Sequence, residues 1–162
     1  MKIEDEIQTR KFRNERHKAT INIVFTSNWI TRILEKRANV QQITLQQFNV
    51  LRILRGQYPN PVTNNMLKER MLDKMPDVSR IIDRLVAKEL VSRGKCSKDR
   101  RAVDVKITQK GLDVLAELDQ SMLMMDILEQ HISEEECRAL NDLLDKLRGS
   151  LTADHRSLTA DH

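Results

Sequence analysis

The stretch from Pro76 to Thr108 constrains the fold of this chain most, because two different apolar periodicities follow one another within it. The first repeats at the helical spacing i, i+3, i+4 and i+7, in Val78, Ile81, Ile82 and Leu85. The second alternates apolar and polar residues from Val103 to Ile107, as is typical of a strand with one buried face. Leu90-Val91 provides a partner strand, and the loop between them is polar. A helix followed at once by such a hairpin predicts a winged helix-turn-helix.

Basic residues are concentrated in the same part of the chain. From Lys68 to Lys110 there are thirteen Lys or Arg and seven Asp or Glu, whereas the rest of the chain has fifteen basic and seventeen acidic residues. The net charge of +4 therefore arises from the winged region. A solvated charged face is the alternative interpretation, but this segregation favours a surface that binds nucleic acid.

The motifs of this stretch resemble those of the MarR-type transcriptional regulators (multiple antibiotic resistance regulators). The matching phrases are Asp83-Arg84-Leu85, Lys88 to Arg93, Asp99-Arg100-Arg101 and Ile107 to Gly111, within a resemblance that covers roughly Ala19 to Leu147. It implies a mainly α fold with a small β-hairpin wing, in which a winged helix-turn-helix domain joins N- and C-terminal dimerisation helices. One departure is Glu89, where the family usually has the glycine of a left-handed cap. We therefore expect this helix to end in another way.

The candidate DNA-binding residues occupy the recognition helix and the wing. They are Pro76, Asp77, Ser79, Arg80, Arg84, Lys88, Lys95, Lys98, Asp99, Arg100 and Arg101. Arg80 can bind a guanine edge with two hydrogen bonds, and Ser79 can bind a base or a phosphate. Asp77 can accept from cytosine N4, but it is favoured as a carboxylate that stabilises the positive end of the helix. Arg84 and Lys88 are expected to contact phosphates.

In the wing, the resemblance implies that Arg101 enters or follows the minor groove and that Asp99 pairs with it. Lys98 and Arg100 are expected to add phosphate contacts, and Lys95 is as readily interpreted as a free surface charge. Two such units related by a two-fold axis would bind a pseudo-palindromic site on double-stranded DNA, with half-sites about one helical turn apart. Occupation of a promoter in this way predicts repression.

The flanking helices carry apolar seams, and the resemblance implies that these seams pack against a second chain in a homodimer. The helix expected over about 18–37 has a broad apolar face, in which Trp29 is interpreted as core. After the wing, a long helix capped by Thr108 is expected to carry a heptad-like seam of Leu115, Leu118, Met122, Met125 and Ile132. Ser133 and Glu136 fit a capping box that starts a further helix. A second chain can bury such seams, and a monomer whose helices fold back is the alternative.

The predicted organisation has four parts. They are an N-terminal dimerisation region at 1–43, the winged helix-turn-helix at 44–108, C-terminal dimerisation helices at 109–149 and a tail at 150–162. The tail repeats Ser-Leu-Thr-Ala-Asp-His from Ser150 and again from Ser157. We expect it to join no core, whether it is a cloning duplication or a natural short repeat.

The effector is predicted from the resemblance alone. Members of the family often bind small aromatic or phenolic compounds between the dimer helices and the winged lobe. The corresponding candidate ligand-binding residues are His17, Asn28, Trp29, Phe48 and Arg52, each of which ordinary packing or exposure would also explain. Relief of repression by a lipophilic or phenolic ligand is the first expectation. Oxidation of Cys96 in a basic loop is an alternative, and so is an incidental surface thiol.

Other classes of protein are disfavoured. The four glycines form no phosphate-binding loop, and the histidines and cysteines lack metal-ligand spacing, so neither an enzyme nor a bound cofactor or metal is expected. No apolar run approaches the roughly 20 residues of a membrane span, and the first residues lack a signal-peptide core. We therefore expect a cytoplasmic protein without a membrane partner. A winged-helix module that binds another protein is the competing class.

Overall fold

Eight helices and three short strands are present among the residues that the computed structural model describes, which are 1–73, 77–95, 103–120, 126–129 and 131–158. The helices are α1 (Ile3–Glu6), α2 (Glu15–Val40), α3 (Leu45–Arg55), α4 (Asn64–Arg70), α5 (Val78–Ala87), α6 (Gln109–Gln120), α7 (Asp126–Glu129) and α8 (Glu134–Leu158). The strands are β1 (Val62–Thr63), β2 (Val91–Lys95) and β3 (Val103–Ile107). The predicted mainly α fold with a small wing is confirmed.

The chain divides into two compact units, Met1–Leu123 and Met124–His162. Helices α1 to α6 and all three strands belong to the first unit, so α6 packs with the winged region and against α3. Helices α7 and α8 belong to the second unit. Among the described residues, none of the helices has both the length and the apolar character that crossing a membrane requires.

The sheet is antiparallel, with strand order β1-β3-β2, and therefore has one strand more than the predicted hairpin. Val91 is opposite Ile107 and Arg93 is opposite Val105, while Val62 of β1 lies on the other side of Val105. Val105 is fully buried between its two neighbours, and Ile107 is also buried. The predicted alternation along β3 thus places its buried face against the helices.

Threonine hydroxyls cap α3 and α4 of the first unit. The Thr44 hydroxyl accepts from the backbone N–H of Gln47 at 3.2 Å, and the Gln47 side chain accepts from the Thr44 N–H at 3.1 Å. The Thr63 hydroxyl accepts from the Met66 N–H at 3.3 Å at the start of α4. Because each cap satisfies an N–H that has no partner within its helix, α3 and α4 start at fixed residues.

The predicted apolar stripe of α5 is confirmed. Its four members, Val78, Ile81, Ile82 and Leu85, are all buried. They pack α5 against α3, α4 and β2, and the polar side of the helix is left facing outward.

The prediction for the end of α5 is wrong. Glu89 adopts the left-handed conformation itself, with φ of 61°. The Leu90 N–H donates to the Leu85 carbonyl at 3.0 Å, and the Glu89 N–H donates to the Val86 carbonyl at 2.8 Å. These two bonds form the Schellman motif that usually has glycine at this position. The Lys110 ammonium, 2.9 Å from Glu89 Oε2, lowers the pKa of that carboxyl.

The segment that follows α6 differs from the predicted seam at Ile132. Ile132 lies in the bend that precedes α8, so it does not continue the helix after the wing, and Met122 and Met125 fall outside the described residues. The capping box is confirmed, since the Ser133 N–H donates to Glu136 Oε2 at 2.7 Å and lowers the pKa of that carboxyl. Helix α8 extends from Glu134 to Leu158 and so includes the first part of the tail.

Helix α6 begins at a close approach between two backbone segments. The Thr108 N–H donates to the Leu90 carbonyl at 3.1 Å, and the Thr108 hydroxyl caps α6 by accepting from the Gly111 N–H at 3.1 Å. A Cβ added to Gly111 would lie 2.3 Å from the Leu90 carbonyl oxygen and 2.8 Å from the Ile107 side chain. Only glycine therefore fits where α6 passes the start of β2.

We expect Gly111→Ala to lower the free energy of unfolding by about 1–3 kcal/mol, because the backbone must shift to admit the methyl group. Urea unfolding followed by circular dichroism measures this change. Gly56→Ala is the matched control, since its Cβ would meet only ordinary contacts at 3.6 Å. An unfolding midpoint for Gly111→Ala equal to that of the wild type would contradict the close approach.

Candidate nucleic-acid interface

The outward side of α5 carries three of the predicted helix contacts. Ser79, Arg80 and Arg84 are exposed there, together with Asp83. Their exposure follows from the burial of the opposite stripe, which fixes how the helix is turned. The structure therefore brings these three predicted residues together on one face.

Asp77 and Pro76 lie at the start of α5. The Asp77 carboxylate accepts from the Arg80 N–H at 3.2 Å and is the N-cap of the helix. This contact confirms the favoured interpretation, in which Asp77 stabilises the helix end. Pro76 falls outside the described residues.

Helix α4 packs against α5 and completes the helix-turn-helix. The Asn64 side-chain amide donates to the Ser79 hydroxyl at 3.5 Å, at the side of α5 that faces the start of α4. The Ser79 side chain is therefore partly oriented from within the protein.

The tip of the wing carries the remaining predicted contacts. Lys98, Asp99, Arg100 and Arg101 fall outside the described residues, as does Cys96. Lys95 is the last residue of β2, opposite Val103. The assignments in the wing therefore stay predictions.

Arg93 in β2 is a residue that sequence reasoning did not place in the site. Its guanidinium Nη1 is 2.7 Å from Asp83 Oδ1, and its Nη2 donates to the Ser79 carbonyl at 3.2 Å. This contact joins the wing to the outer face of α5. The sequence contains a hint of it, namely opposite charges on the helix and the strand, but no spacing rule relates the two.

Lys88 is placed differently from its prediction as a phosphate contact. Its ammonium donates to the Gln42 carbonyl and lies 3.5 Å from Gln47 Oε1. Lys88 therefore ties the end of α5 to the turn between α2 and α3. We leave it out of the proposed DNA contacts.

The structure does not gather the predicted ligand-binding residues into one site. His17 lies at the start of α2, where its Nδ1 accepts from the Arg13 N–H at 3.3 Å. Trp29 is twelve residues further along the same helix, about 18 Å away, and is 43% exposed, although we interpreted it as core. Asn28 is exposed as well.

The other two predicted ligand residues belong to α3. Phe48 is buried in the core of the first unit. Arg52 is half-buried, and its Nη2 donates to the buried Asn49 side chain at 3.1 Å. Packing within the chain thus accounts for both positions.

Comparison with known proteins finds the family that the motifs resemble. Residues 43–103 match the MarR family. The structure is similar to a cysteine-to-serine mutant of MarR from E. coli complexed with operator DNA, with 26% identity, a TM-score of 0.72, and coverage of 85% of this chain and 98% of that chain. The resemblance inferred from the motifs is thereby confirmed.

Two further solved structures are similar in fold. The MepR–DNA complex from S. aureus has 21% identity and a TM-score of 0.72, covering 81% of this chain and 96% of that chain. The organohalide-sensing regulator RdhR-CbdbA1625, in its 2,4-dichlorophenol-bound form, has 22% identity and a TM-score of 0.72, covering 85% of this chain and 81% of that chain.

We expect Lys88→Met to lower the free energy of unfolding by about 1 kcal/mol, because it removes a charged donor from the Gln42 carbonyl. The salt dependence of duplex binding should stay unchanged. A phosphate contact would instead reduce the slope by about 1. Lys36→Met, at an exposed position of α2, is the control and should change stability by less than about 0.5 kcal/mol.

Proposed function

We propose that the chain, whose residues 43–103 match the MarR family, acts as a homodimeric, sequence-specific DNA-binding repressor. The observation that carries this proposal is the outward face of α5. Ser79, Arg80 and Arg84 are exposed together on a helix whose other side is buried in the fold. A helix presented in this way fits the major groove of double-stranded DNA.

The charge distribution supports the same proposal. The basic excess is confined to residues 68–110, the region that contains α5 and the wing. In this proposal Arg80 binds base edges and Arg84 binds a phosphate, while Lys95, Lys98, Arg100 and Arg101 of the wing bind the flanking backbone or minor groove, with Asp99 orienting Arg101. The similar MarR and MepR structures are bound to DNA, which is the same use of the fold.

Homodimerisation is proposed from the apolar side chains that the single chain leaves in water. On α2 these include Ile23, Val24 and Trp29, and on α8 they include Leu140, Leu143 and Leu147. Burying each of these side chains against a second chain would stabilise the dimer by about 25 cal/mol per Å² of apolar surface. Two winged units held by such helices would bind a pseudo-palindromic operator.

Relief of repression by a small lipophilic or phenolic ligand is the proposed regulation. The solved structure of a similar regulator contains 2,4-dichlorophenol. Since His17 and Trp29 lie far apart along α2 in one chain, a shared pocket would need residues of a second chain. Oxidation of Cys96 remains an alternative.

A winged-helix module that binds protein is the rival function, and DNA binding separates the two. We expect fluorescence anisotropy to show tighter binding to the DNA directly upstream of the gene than to scrambled DNA, with a steep salt dependence. Arg80→Ala should weaken binding to the preferred duplex by about 1–3 kcal/mol, since it removes a base contact. Arg138→Ala on α8 is the control. The proposal fails if the wild type binds neither duplex at low salt.

We expect Leu143→Asp to convert the dimer into a monomer, because a carboxylate cannot be buried there without a partner. Sedimentation equilibrium distinguishes the 18.9 kDa chain from its dimer. Leu72→Asp is the matched control, since Leu72 is 68% exposed and Leu143 is 66% exposed, but Leu72 lies between α4 and α5. A wild-type protein that sediments as a monomer would contradict homodimerisation.

A further inference from the structure

Arg93 of the wing contacts two residues one turn apart on the outer face of α5. Arg93 reaches the Asp83 carboxylate with Nη1 at 2.7 Å and the Ser79 carbonyl with Nη2 at 3.2 Å. Ser79 and Asp83 are four residues apart and therefore stand one above the other on the same helical face. The planar fork of the guanidinium matches two acceptors placed in this way.

Both Arg93 and its partner Ser79 have further contacts within the fold. Arg93 belongs to β2 and pairs with Val105, which is fully buried in β3. The Asn64 amide of α4 also reaches this face, where it donates to the Ser79 hydroxyl at 3.5 Å. The helix is therefore held from the wing and from α4, and its rotation about its own axis is restricted.

The pair also places opposite charges on a surface proposed to meet DNA. Asp83 has a side chain that is 61% exposed, on the same face as Arg80 and Arg84. An acidic side chain there would be repelled by phosphates. The guanidinium of Arg93 neutralises this carboxylate, so the positive charge of Arg93 is paired within the protein and is not available for a phosphate.

We propose that Arg93 is a positioning residue, which acts through Asp83 and Ser79 to hold α5 and the wing in the one relative orientation that fits a single duplex. This inference rests on the proposed function and adds a determinant of specificity to it. Arg93 itself makes no base contact in this arrangement.

The direction in which one substitution changes DNA affinity distinguishes a positioning role from simple electrostatics. Asp83→Asn removes a negative charge from the DNA-facing surface, so electrostatics alone would tighten binding. Loss of the Arg93 contact would weaken it. A tighter complex would therefore overturn the proposal, and a weaker one would support it.

The probe is a duplex selected from a random-sequence library by the wild-type protein, compared with its scrambled version across a salt series. We expect Asp83→Asn and Arg93→Ala each to weaken binding to the selected duplex by about fivefold. The double variant should be no weaker than either single variant. The ratio of affinities for the two duplexes should fall, and the salt slope should stay unchanged. Asp83→Glu, which keeps the carboxylate, should retain most of the ratio.

A second surface ion pair provides matched controls. Arg55 pairs with Asp119 between α3 and α6, and its side chain is 37% exposed, as is that of Arg93. Arg55→Ala and Asp119→Asn should leave the ratio of affinities unchanged. Thermal unfolding of all variants checks that the fold is intact.

The outcomes distinguish this inference from the proposed function. A salt slope reduced by about 1 in Arg93→Ala would make Arg93 a phosphate contact and would overturn the positioning role. Additive losses in the double variant would also overturn it. If the wild type selects no duplex, the proposed function fails and this inference fails with it.

Discussion

The close approach of Gly111 to the carbonyl of Leu90 is the contact on which the positions of α5, β2 and α6 depend. Leu90 ends the Schellman motif of α5, and its carbonyl accepts from the Thr108 N–H. Thr108 in turn donates its hydroxyl proton to the Glu89 carbonyl at 2.8 Å. A helix end, a strand start and a helix start are thus joined by short backbone contacts at one point. A larger side chain at Gly111 would push apart the end of α5, the start of β2 and the start of α6, and would shift the outer face of α5.

Local patterns were sufficient for much of the fold. The apolar stripe of α5, the alternation along β3 and the caps at Thr44, Thr63 and Thr108 each depend on neighbours a few residues away, and the sequence displays such spacings directly. The position of Asp77 as a helix cap was predictable for the same reason. These features also define which face of α5 points outward, so part of the candidate interface followed from them.

Contacts between distant segments were not predictable in this way. The charge of Lys88 alone predicts a phosphate contact. Packing instead brings its ammonium to the Gln42 carbonyl, 46 residues away in the chain. Arg93 was overlooked because its partners depend on the register of the sheet against α5. Glu89 accepts a left-handed conformation because the bonds of Leu90 and Thr108 fix the backbone on either side. In each case tertiary structure overrides a local preference.

The length of the repeat near the end of the chain has a geometric consequence for α8. The second copy begins seven residues after the first, at Ser157 after Ser150. Seven residues make almost two turns of an α-helix, and α8 continues from Glu134 through the first copy to Leu158. On an ideal helix, a repeat of this length returns each residue type almost to its former angular position. Leu144, Leu151 and Leu158 are spaced by the same interval, so the repeat is in phase with the sequence of α8 that precedes it.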